Sequence, residues 1–205
     1  MWKSEGYARL LCAALFIAAT PGRAQAPVPA PPTAVTPAPV TVAFDTAGSW
    51  LGFEVRTRFG QRMAGEFPRY EGLVEYLPDG RHRVRLRVAT TEAVIPDRPR
   101  YTAWMRSQSF FDAIRHPWMV FVSEPYSPEL LRDGGPLKGR LDLRGVARDE
   151  ELTVAPATCA RPGLDCDIQV VGLIERANYG MRDWQFALAD DVRLEVRVRL
   201  REAAP

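Results

Sequence analysis

The sequence has few of the residues that usually carry out chemistry: among its 205 residues are two histidines and three cysteines. It contains no GxSxG, HExxH, P-loop or dinucleotide-binding motif. His82 and His116 have no partners at the spacing that a catalytic or metal-binding cluster requires. Asp190 and Asp191 are adjacent and therefore point to opposite faces of a strand. We predict no catalytic residue, no metal site and no enzymatic activity.

Long hydrophobic segments are also missing. The apolar run at residues 10–19 has ten residues, whereas a transmembrane helix needs about 20. Lys3 and Arg9 precede this run and Ala24-Gln25-Ala26 follows it, a pattern that predicts a signal peptide at residues 1–26 and export to the periplasm. Residues 27–40 (PVPAPPTAVTPAPV) are rich in proline and alanine, which predicts an extended linker.

The chain has no excess charge of either sign once the predicted signal peptide is removed. Loss of Lys3, Arg9, Arg23 and Glu5 reduces 27 basic and 25 acidic residues to 24 of each. A protein dedicated to nucleic acid usually carries a clear basic excess, because neutralising phosphates supplies much of its affinity. We therefore predict that nucleic acid is not a partner.

Cys159 and Cys166 are the cysteines that remain after residue 26. They flank Pro162-Gly163, a turn signal. In an oxidising compartment this arrangement favours a disulfide over two free thiols. Zinc is a poor alternative, because two thiols do not complete its usual four ligands.

Apolar and polar residues alternate over most of the chain after Val42. Residues 81–88 (RHRVRLRV) and 192–200 (VRLEVRVRL) show the pattern most clearly, since every second position carries a charged, mostly arginine, side chain. Strict alternation predicts strands with one apolar and one solvated face. No aromatic residue stands between these arginines to stack bases. The arginines are therefore predicted to lie on the outer face of a sheet.

One segment, residues 98–116, loses this alternation. Trp104, Met105, Phe111 and Ile114 lie nearer to helical spacing, and Pro117 prevents continuation of a helix. About eight strands and one short helical insertion in a single domain predict a mainly β protein, either a closed barrel or a sandwich. An eight-stranded barrel is just wide enough to hold a small ligand inside.

Four motifs together resemble the YceI family of exported, lipocalin-like polyisoprenoid-binding proteins. They are GEFPRYEGLVEY (65–76), SFFDAIRHPWMVFVS (109–123), LKGRLDLRGV (137–146) and IERANYG (174–180). The resemblance implies an extended eight-stranded antiparallel β-barrel over residues 41–203. It also implies an isoprenoid lipid or quinone as the bound ligand, with no further cofactor.

We expect the barrel lumen to be lined by apolar side chains from several strands: Phe53, Val55, Leu86, Phe121, Leu141, Ile174, Leu194 and Val196. The alternative is that these residues form a filled core. Trp104, Phe110 and Phe111 of the helical insertion close one end of the barrel as a lid, or belong to an ordinary core.

Arg176 shares the inward parity of Ile174, and a buried arginine needs an anion. It pairs either with Asp112 or another carboxylate, or with the head group of a ligand. The predicted function is a periplasmic lipid carrier, as a monomer or homodimer. The alternatives are an enzyme or accessory factor acting on an isoprenoid or quinone, and a module that binds a membrane surface or membrane protein through its arginine-rich faces.

Overall fold

A single antiparallel sheet dominates the computed structural model, which describes residues 40–202. Within these residues it has ten strands in the order β1-β4-β5-β6-β7-β8-β9-β10-β2-β3. The strands are β1 Val40–Ala43, β2 Trp50–Thr57, β3 Arg62–Glu66, β4 Tyr70–Tyr76, β5 His82–Ala89, β6 Trp118–Ser123, β7 Gly135–Leu143, β8 Val146–Val154, β9 Ile168–Glu175 and β10 Leu188–Val198. The helices are α1 Pro99–Arg106 and α2 Glu129–Asp133, with 3₁₀ turns at Thr90–Glu92 and Arg176–Tyr179. The predicted signal peptide and all of the linker except Val40 lie outside the described residues.

The sheet curls so that its first strand meets the end of its tenth. β1 pairs with β4, and the chain directly after it forms an antiparallel bridge between Phe44 and Leu200, just beyond β10. β2 pairs with β10 along the edge of β10 opposite to β9. Two bends explain why ten strands are present where eight were predicted, because residues 44–49 separate β1 from β2 and residues 67–69 separate β3 from β4.

The alternation of buried and exposed side chains is confirmed, and the arginines of β5 and β10 lie on the outer face. Arg85 and Arg87 are exposed and pair with Glu75 and Glu71 of the neighbouring strand. His82 does not belong to this outer row. Its ring packs between Tyr76 and Tyr126, at 4.4 and 5.8 Å between ring centroids, and burial lowers its pKa.

Two motif glycines make room for aromatic rings inside the curled sheet. A Cβ atom at Gly65 would overlap the ring of Phe53, and one at Gly139 would overlap the ring of Phe121. Phe53 faces Gly65 directly in the β2–β3 register. Gly139 faces Ser123 in the β6–β7 register, two residues along β6 from Phe121. The glycines therefore let large apolar side chains fill the interior without pushing the strands apart.

The helical insertion is shorter than its sequence pattern suggested. α1 ends at Arg106, and residues 107–116 form turns in which the amide of Asp112 donates to the carbonyl of Ser107. Asp112 has a φ of 49°, a left-handed conformation that cannot continue a helix. Ile114, expected on the apolar face, is 95% exposed.

The connections divide into two groups because all strand pairs are antiparallel. We call one group the aromatic end: residues 58–61, 90–117, 144–145 and 176–187. The other group is the disulfide end: residues 77–81, 124–134, 155–167 and 199–202. At the disulfide end, Cys159 and Cys166 form the predicted disulfide.

Candidate functional site

Three apolar cavities follow one another along the inside of the curled sheet. The first, at the disulfide end, has about 60 Å³ and is bounded by α2 through Leu130 and Leu131. The middle cavity has about 50 Å³. The third, at the aromatic end, has about 60 Å³ and is covered by Met105, Phe110 and Phe111.

Neighbouring cavities share walls, so together they trace one path through the molecule. The first and middle cavities share Leu86, Phe121, Leu152, Val170 and Val196. The middle and third cavities share Phe67, Met119, Leu141 and Leu194. A side cavity of about 50 Å³ shares Phe53, Val55, Met105 and Phe110 with the third cavity and reaches Trp104.

Each residue predicted to line the lumen or close its end lies on the wall of at least one of these four cavities. Leu86, Phe121 and Val196 line the first cavity, and Leu141 and Leu194 line the middle one. The third cavity has Phe53, Val55, Phe110, Phe111, Ile174 and Arg176, and the side cavity has Trp104. Contact of these side chains with a ligand stays a prediction.

Several inward side chains keep accessible surface although they lie inside the sheet. Leu86, Leu194 and Val196 are only half-buried, whereas Phe121 and Leu141 are buried. The half-buried residues face the cavities, so the interior is neither solidly packed nor one wide channel. A pocket for a drug-sized ligand usually has about 300–1,000 Å³. Side chains between the cavities must therefore rotate before a long ligand can lie across all three, and methionines such as Met105 and Met119 do so easily.

Arg176 is the charged residue of the third cavity, with 1% of its surface exposed. Its Nη1 donates to the carbonyls of Met181 and Asp183 at 2.8 and 2.7 Å, and its Nε donates to the carbonyl of Ala189 at 3.0 Å. Its guanidinium lies 6.0 Å from the centroid of the Phe110 ring. Burial lowers the pKa of Arg176, although a guanidinium remains protonated.

The carboxylate nearest to Arg176 is Asp190, at 3.7 Å from Nε, and not Asp112. Asp112 is buried but binds the guanidinium of Arg115 at 2.5 Å. Of the predicted structural partners, the one beside Arg176 is therefore another carboxylate, Asp190, while Asp112, in a left-handed turn, pairs within its own segment. Within residues 40–202, Nη2 of Arg176 has no hydrogen-bond partner.

Glu150 and Tyr179 form a polar pair at the middle cavity that the sequence did not lead us to expect. The Tyr179 hydroxyl donates to Glu150 Oε1 at 2.6 Å, and Tyr179 is 1% exposed. Burial and this carboxylate raise the pKa of Tyr179. Glu150 has the parity of Leu152 and Val154 on β8, and that signal could have placed it on the inner face.

The sheet is loosely joined beside this pair. β8 pairs with β7 along its whole length, but it pairs with β9 only from Leu152 to Val154. The hydrogen bond between Glu150 and Tyr179 therefore connects the first half of β8 to the chain that follows β9.

Two further features of the described residues concern metals and membranes. Residues 40–202 contain no group of three or more histidine, cysteine, aspartate or glutamate side chains that could hold a metal ion. In the same part of the chain, no helix is long and apolar enough to cross a membrane.

A curled antiparallel sheet around a series of apolar cavities defines a β-barrel-like protein with an incompletely packed apolar interior rather than a filled sandwich. The model of the YceI-like domain matches residues 43–200, which is most of the chain. This protein belongs to the YceI-like domain family, as its four motifs indicated. None of the curated protein sequences matches it.

Solved structures show the same fold at low sequence identity. BcnA of Burkholderia cenocepacia is 19% identical, with a TM-score of 0.63 over 76% of this chain and 98% of BcnA. A polyisoprenoid-binding domain from Saccharophagus degradans is 17% identical, with a TM-score of 0.58 over 80% of this chain and 98% of that domain. A YceI protein of Campylobacter jejuni is 17% identical, with a TM-score of 0.52 over 68% and 85% of the two chains.

Proposed function

We propose that this protein holds a polyisoprenoid or isoprenoid quinone chain in its lumen and acts as a carrier or store for it. The observation that carries the proposal is the series of cavities from one end of the sheet to the other. Among the described residues on the walls of the three cavities in this series, Glu150 and Arg176 are the charged ones. A related fold from Saccharophagus degradans is described as polyisoprenoid-binding, which supports the ligand class.

The physical reason favours a chain over a compact ligand. A narrow path with apolar walls gains about 0.8 kcal/mol for each CH₂ group that it removes from water. A flexible prenyl chain can follow such a path past side chains shared by neighbouring cavities, such as Leu86 and Leu194, more readily than a rigid ring system of similar area. The methyl branches of isoprene units suit walls made of leucine, valine and phenylalanine side chains.

A binding role, without catalysis, fits the polar groups of the lumen. The carboxylate of Glu150 already accepts a hydrogen bond from Tyr179, and Arg176 donates to backbone carbonyls. Within residues 40–202, the walls of the middle and third cavities carry no serine, cysteine, histidine or lysine beside these two groups. An acid–base pair for chemistry on a prenyl head group would need such a partner.

The proposed place of action is the periplasm, after export. The disulfide between Cys159 and Cys166 supports an oxidising compartment, because such bonds are rarely maintained in a reducing cytosol. The pattern of residues 1–26 supports a cleaved signal peptide.

The test is to identify lipid extracted from protein purified without detergent, by mass spectrometry, and to compare Leu194→Trp with wild type. Leu194 lies between the middle and third cavities, so an indole there should block the path and reduce bound lipid several-fold. Leu173→Trp is the matched control, since Leu173 lies on β9 opposite Arg193, on the outer side of the sheet, and is 63% exposed.

Empty extracts, together with no binding to a panel of prenyl alcohols and quinones, would overturn the proposal. Equal lipid content in Leu194→Trp and Leu173→Trp would place the lipid outside the lumen. Thermal unfolding of both variants establishes that the difference does not come from loss of the fold.

A further inference from the structure

The aromatic end carries a cluster of large apolar side chains on its surface. Phe59 is 84% exposed, Phe186 74%, Trp184 41% and Tyr101 40%. Such a group of exposed aromatic residues is unusual for a protein surface that contacts only water. We call Phe59, Tyr101, Trp184 and Phe186 the aromatic cluster.

The loops that present the aromatic cluster are held together by hydrogen bonds. The amide of Arg58 donates to the carbonyl of Ala187 at 2.9 Å, which joins the β2–β3 hairpin to the loop before β10. The amides of Ala187 and Leu188 both donate to the carbonyl of Trp184, at 2.9 and 2.8 Å. The backbone thus fixes Trp184 and Phe186 at the surface.

The charge of the same end is positive. Its connections, residues 58–61, 90–117, 144–145 and 176–187, contain eight arginines and four carboxylates. The connections at the disulfide end, residues 77–81, 124–134, 155–167 and 199–202, contain five arginines and seven carboxylates. The two ends of the molecule therefore differ in sign, and the aromatic cluster lies on the positive one.

We propose that the aromatic end docks onto the surface of an anionic phospholipid bilayer, with Phe59, Trp184 and Phe186 entering the head-group region. Aromatic side chains favour this interfacial region, and arginines are attracted to anionic lipid there. The two signals reinforce each other, as they must for a soluble domain to stay on a membrane.

A path connects the docking surface to the interior. Tyr101 is exposed and also lines the side cavity. Trp104, on the wall of the same cavity, contacts two members of the aromatic cluster, since its ring centroid lies 6.3 Å from that of Tyr101 and 4.6 Å from that of Trp184. The side cavity shares Phe53 and Phe110 with the third cavity. This step rests on the proposed function: a lipid leaving the bilayer would pass beside α1 into the lumen.

The outer faces of the sheet are weaker candidates for the membrane contact. The arginines of β5 are largely neutralised, because Arg83 and Arg85 lie beside Glu75 and Arg87 lies beside Glu71. The large apolar side chains beside them are less exposed than the phenylalanines of the aromatic cluster, since Leu73 opposite Arg85 is 40% exposed and the half-buried Trp118 is covered by the guanidinium of Arg87, 4.3 Å from its ring centroid. The aromatic end combines uncompensated charge with exposed rings.

The experiment is co-sedimentation of purified protein with vesicles of phosphatidylcholine alone or mixed with phosphatidylglycerol, at low and high salt. Wild type should bind the mixed vesicles more strongly, and salt should weaken this binding. Phe59→Ser with Phe186→Ser should reduce the partition coefficient by about tenfold or more, because two exposed rings no longer enter the interface. Arg100→Gln with Arg182→Gln should reduce binding to mixed vesicles more than binding to neutral ones.

Leu73→Ser with Leu173→Ser is the matched control, since it removes exposed apolar side chains from the outer sheet face. Equal vesicle binding by the two serine double variants would overturn the proposal. Wild-type binding that does not increase when phosphatidylglycerol is present would overturn it as well. A wild-type dimer in light scattering that Phe59→Ser with Phe186→Ser abolishes would also overturn it, in favour of a contact between copies. Vesicle binding tests the docking surface, and the lipid content of the purified protein tests the proposed function. Because the two are measured separately, either proposal can fail without the other.

Discussion

At the scale of single residues, Arg176 shows how a charge is kept inside an apolar lumen. Its guanidinium is satisfied mainly by the backbone carbonyls of Met181, Asp183 and Ala189, while Asp190 lies farther away at 3.7 Å. Hydrogen bonds from a charged donor in such a place contribute more than those between neutral groups. The arrangement also pins the loop that carries Trp184 to the start of β10.

Replacing Arg176 with alanine should therefore affect stability more than lipid binding. We expect the free energy of unfolding to fall by about 3 kcal/mol, because three carbonyls, that of Met181 buried and those of Asp183 and Ala189 partly buried, lose a charged donor. Thermal unfolding should show a decrease of about 10 °C in the melting temperature. Lipid content, measured well below that temperature, should stay close to that of wild type.

Arg182→Ala is the control for this prediction, since Arg182 is exposed in the same loop. An unchanged melting temperature combined with lost lipid would assign Arg176 to the ligand head group, through its unpaired Nη2.

The sequence could place Arg176 inside but could not name its partners. Arg176 is two residues after Ile174, so strand alternation, which is a local property of the sequence, was sufficient to predict that its side chain points inward. The acceptors are carbonyls, which every residue has, and their position depends on the path of residues 181–189. The inward position of Glu150 was not predicted, although it alternates in step with Leu152 and Val154, because a carboxylate is not expected to face an apolar lumen.

At the scale of elements, alternation predicted where strands lie, and the bends between them were not predicted. Residues 44–49 turn the chain between β1 and β2, so that it can pair with β4 on one side and with β10 on the other. α1 was located, but its end at Arg106 depends on the hydrogen bonds of the following turns. Bends and helix ends of this kind are decided by tertiary contacts, which leave little trace in a single sequence.

The disulfide hairpin at residues 155–167 supports the end of β10. The carbonyl of Gly163 accepts from the amide of Leu200 at 2.8 Å, and the carbonyl of Leu164 accepts from Arg199 Nη1 at 2.7 Å. Leu200 is also the residue that bridges to Phe44 where the sheet meets itself. The hairpin therefore helps to hold the closing edge of the sheet in place.

Replacing both Cys159 and Cys166 with serine should lower the free energy of unfolding by about 2.5 kcal/mol, the chain-entropy value for so short a loop. The melting temperature should fall by roughly 5–10 °C. A reducing agent should destabilise wild type by a similar amount and leave the double variant unchanged. Identical melting of oxidised and reduced wild type would show that the hairpin is stable without the bond.

At the scale of the whole molecule, the two ends of the curled sheet have different characters. The disulfide end is cross-linked, slightly acidic and close to Val40, where the described chain begins, whereas the aromatic end is basic and has exposed rings. The family resemblance anticipated a barrel with an apolar interior. It could not anticipate the division of that interior into cavities of about 50–60 Å³, because their size depends on the rotamers of facing side chains.

The length of the path through the molecule leads to a prediction about ligands. If a prenyl chain lies along all three cavities, affinity should increase from farnesol to geranylgeraniol to solanesol. Each added isoprene unit that enters the lumen should raise affinity by more than about tenfold, because it buries several further CH₂ or CH₃ groups. Binding to protein from which endogenous lipid has been removed can be measured by native mass spectrometry or by displacement of a fluorescent fatty acid.

Leu194→Trp turns this series into a test of geometry. The indole should separate the third cavity from the other two, so the variant should bind farnesol nearly as well as wild type and gain little from longer chains. Leu173→Trp, altered on the outer face, should keep the full dependence on length. Wild type that binds farnesol as tightly as solanesol would confine the ligand to a single cavity, because further isoprene units would then remain in water and add nothing to the free energy of binding.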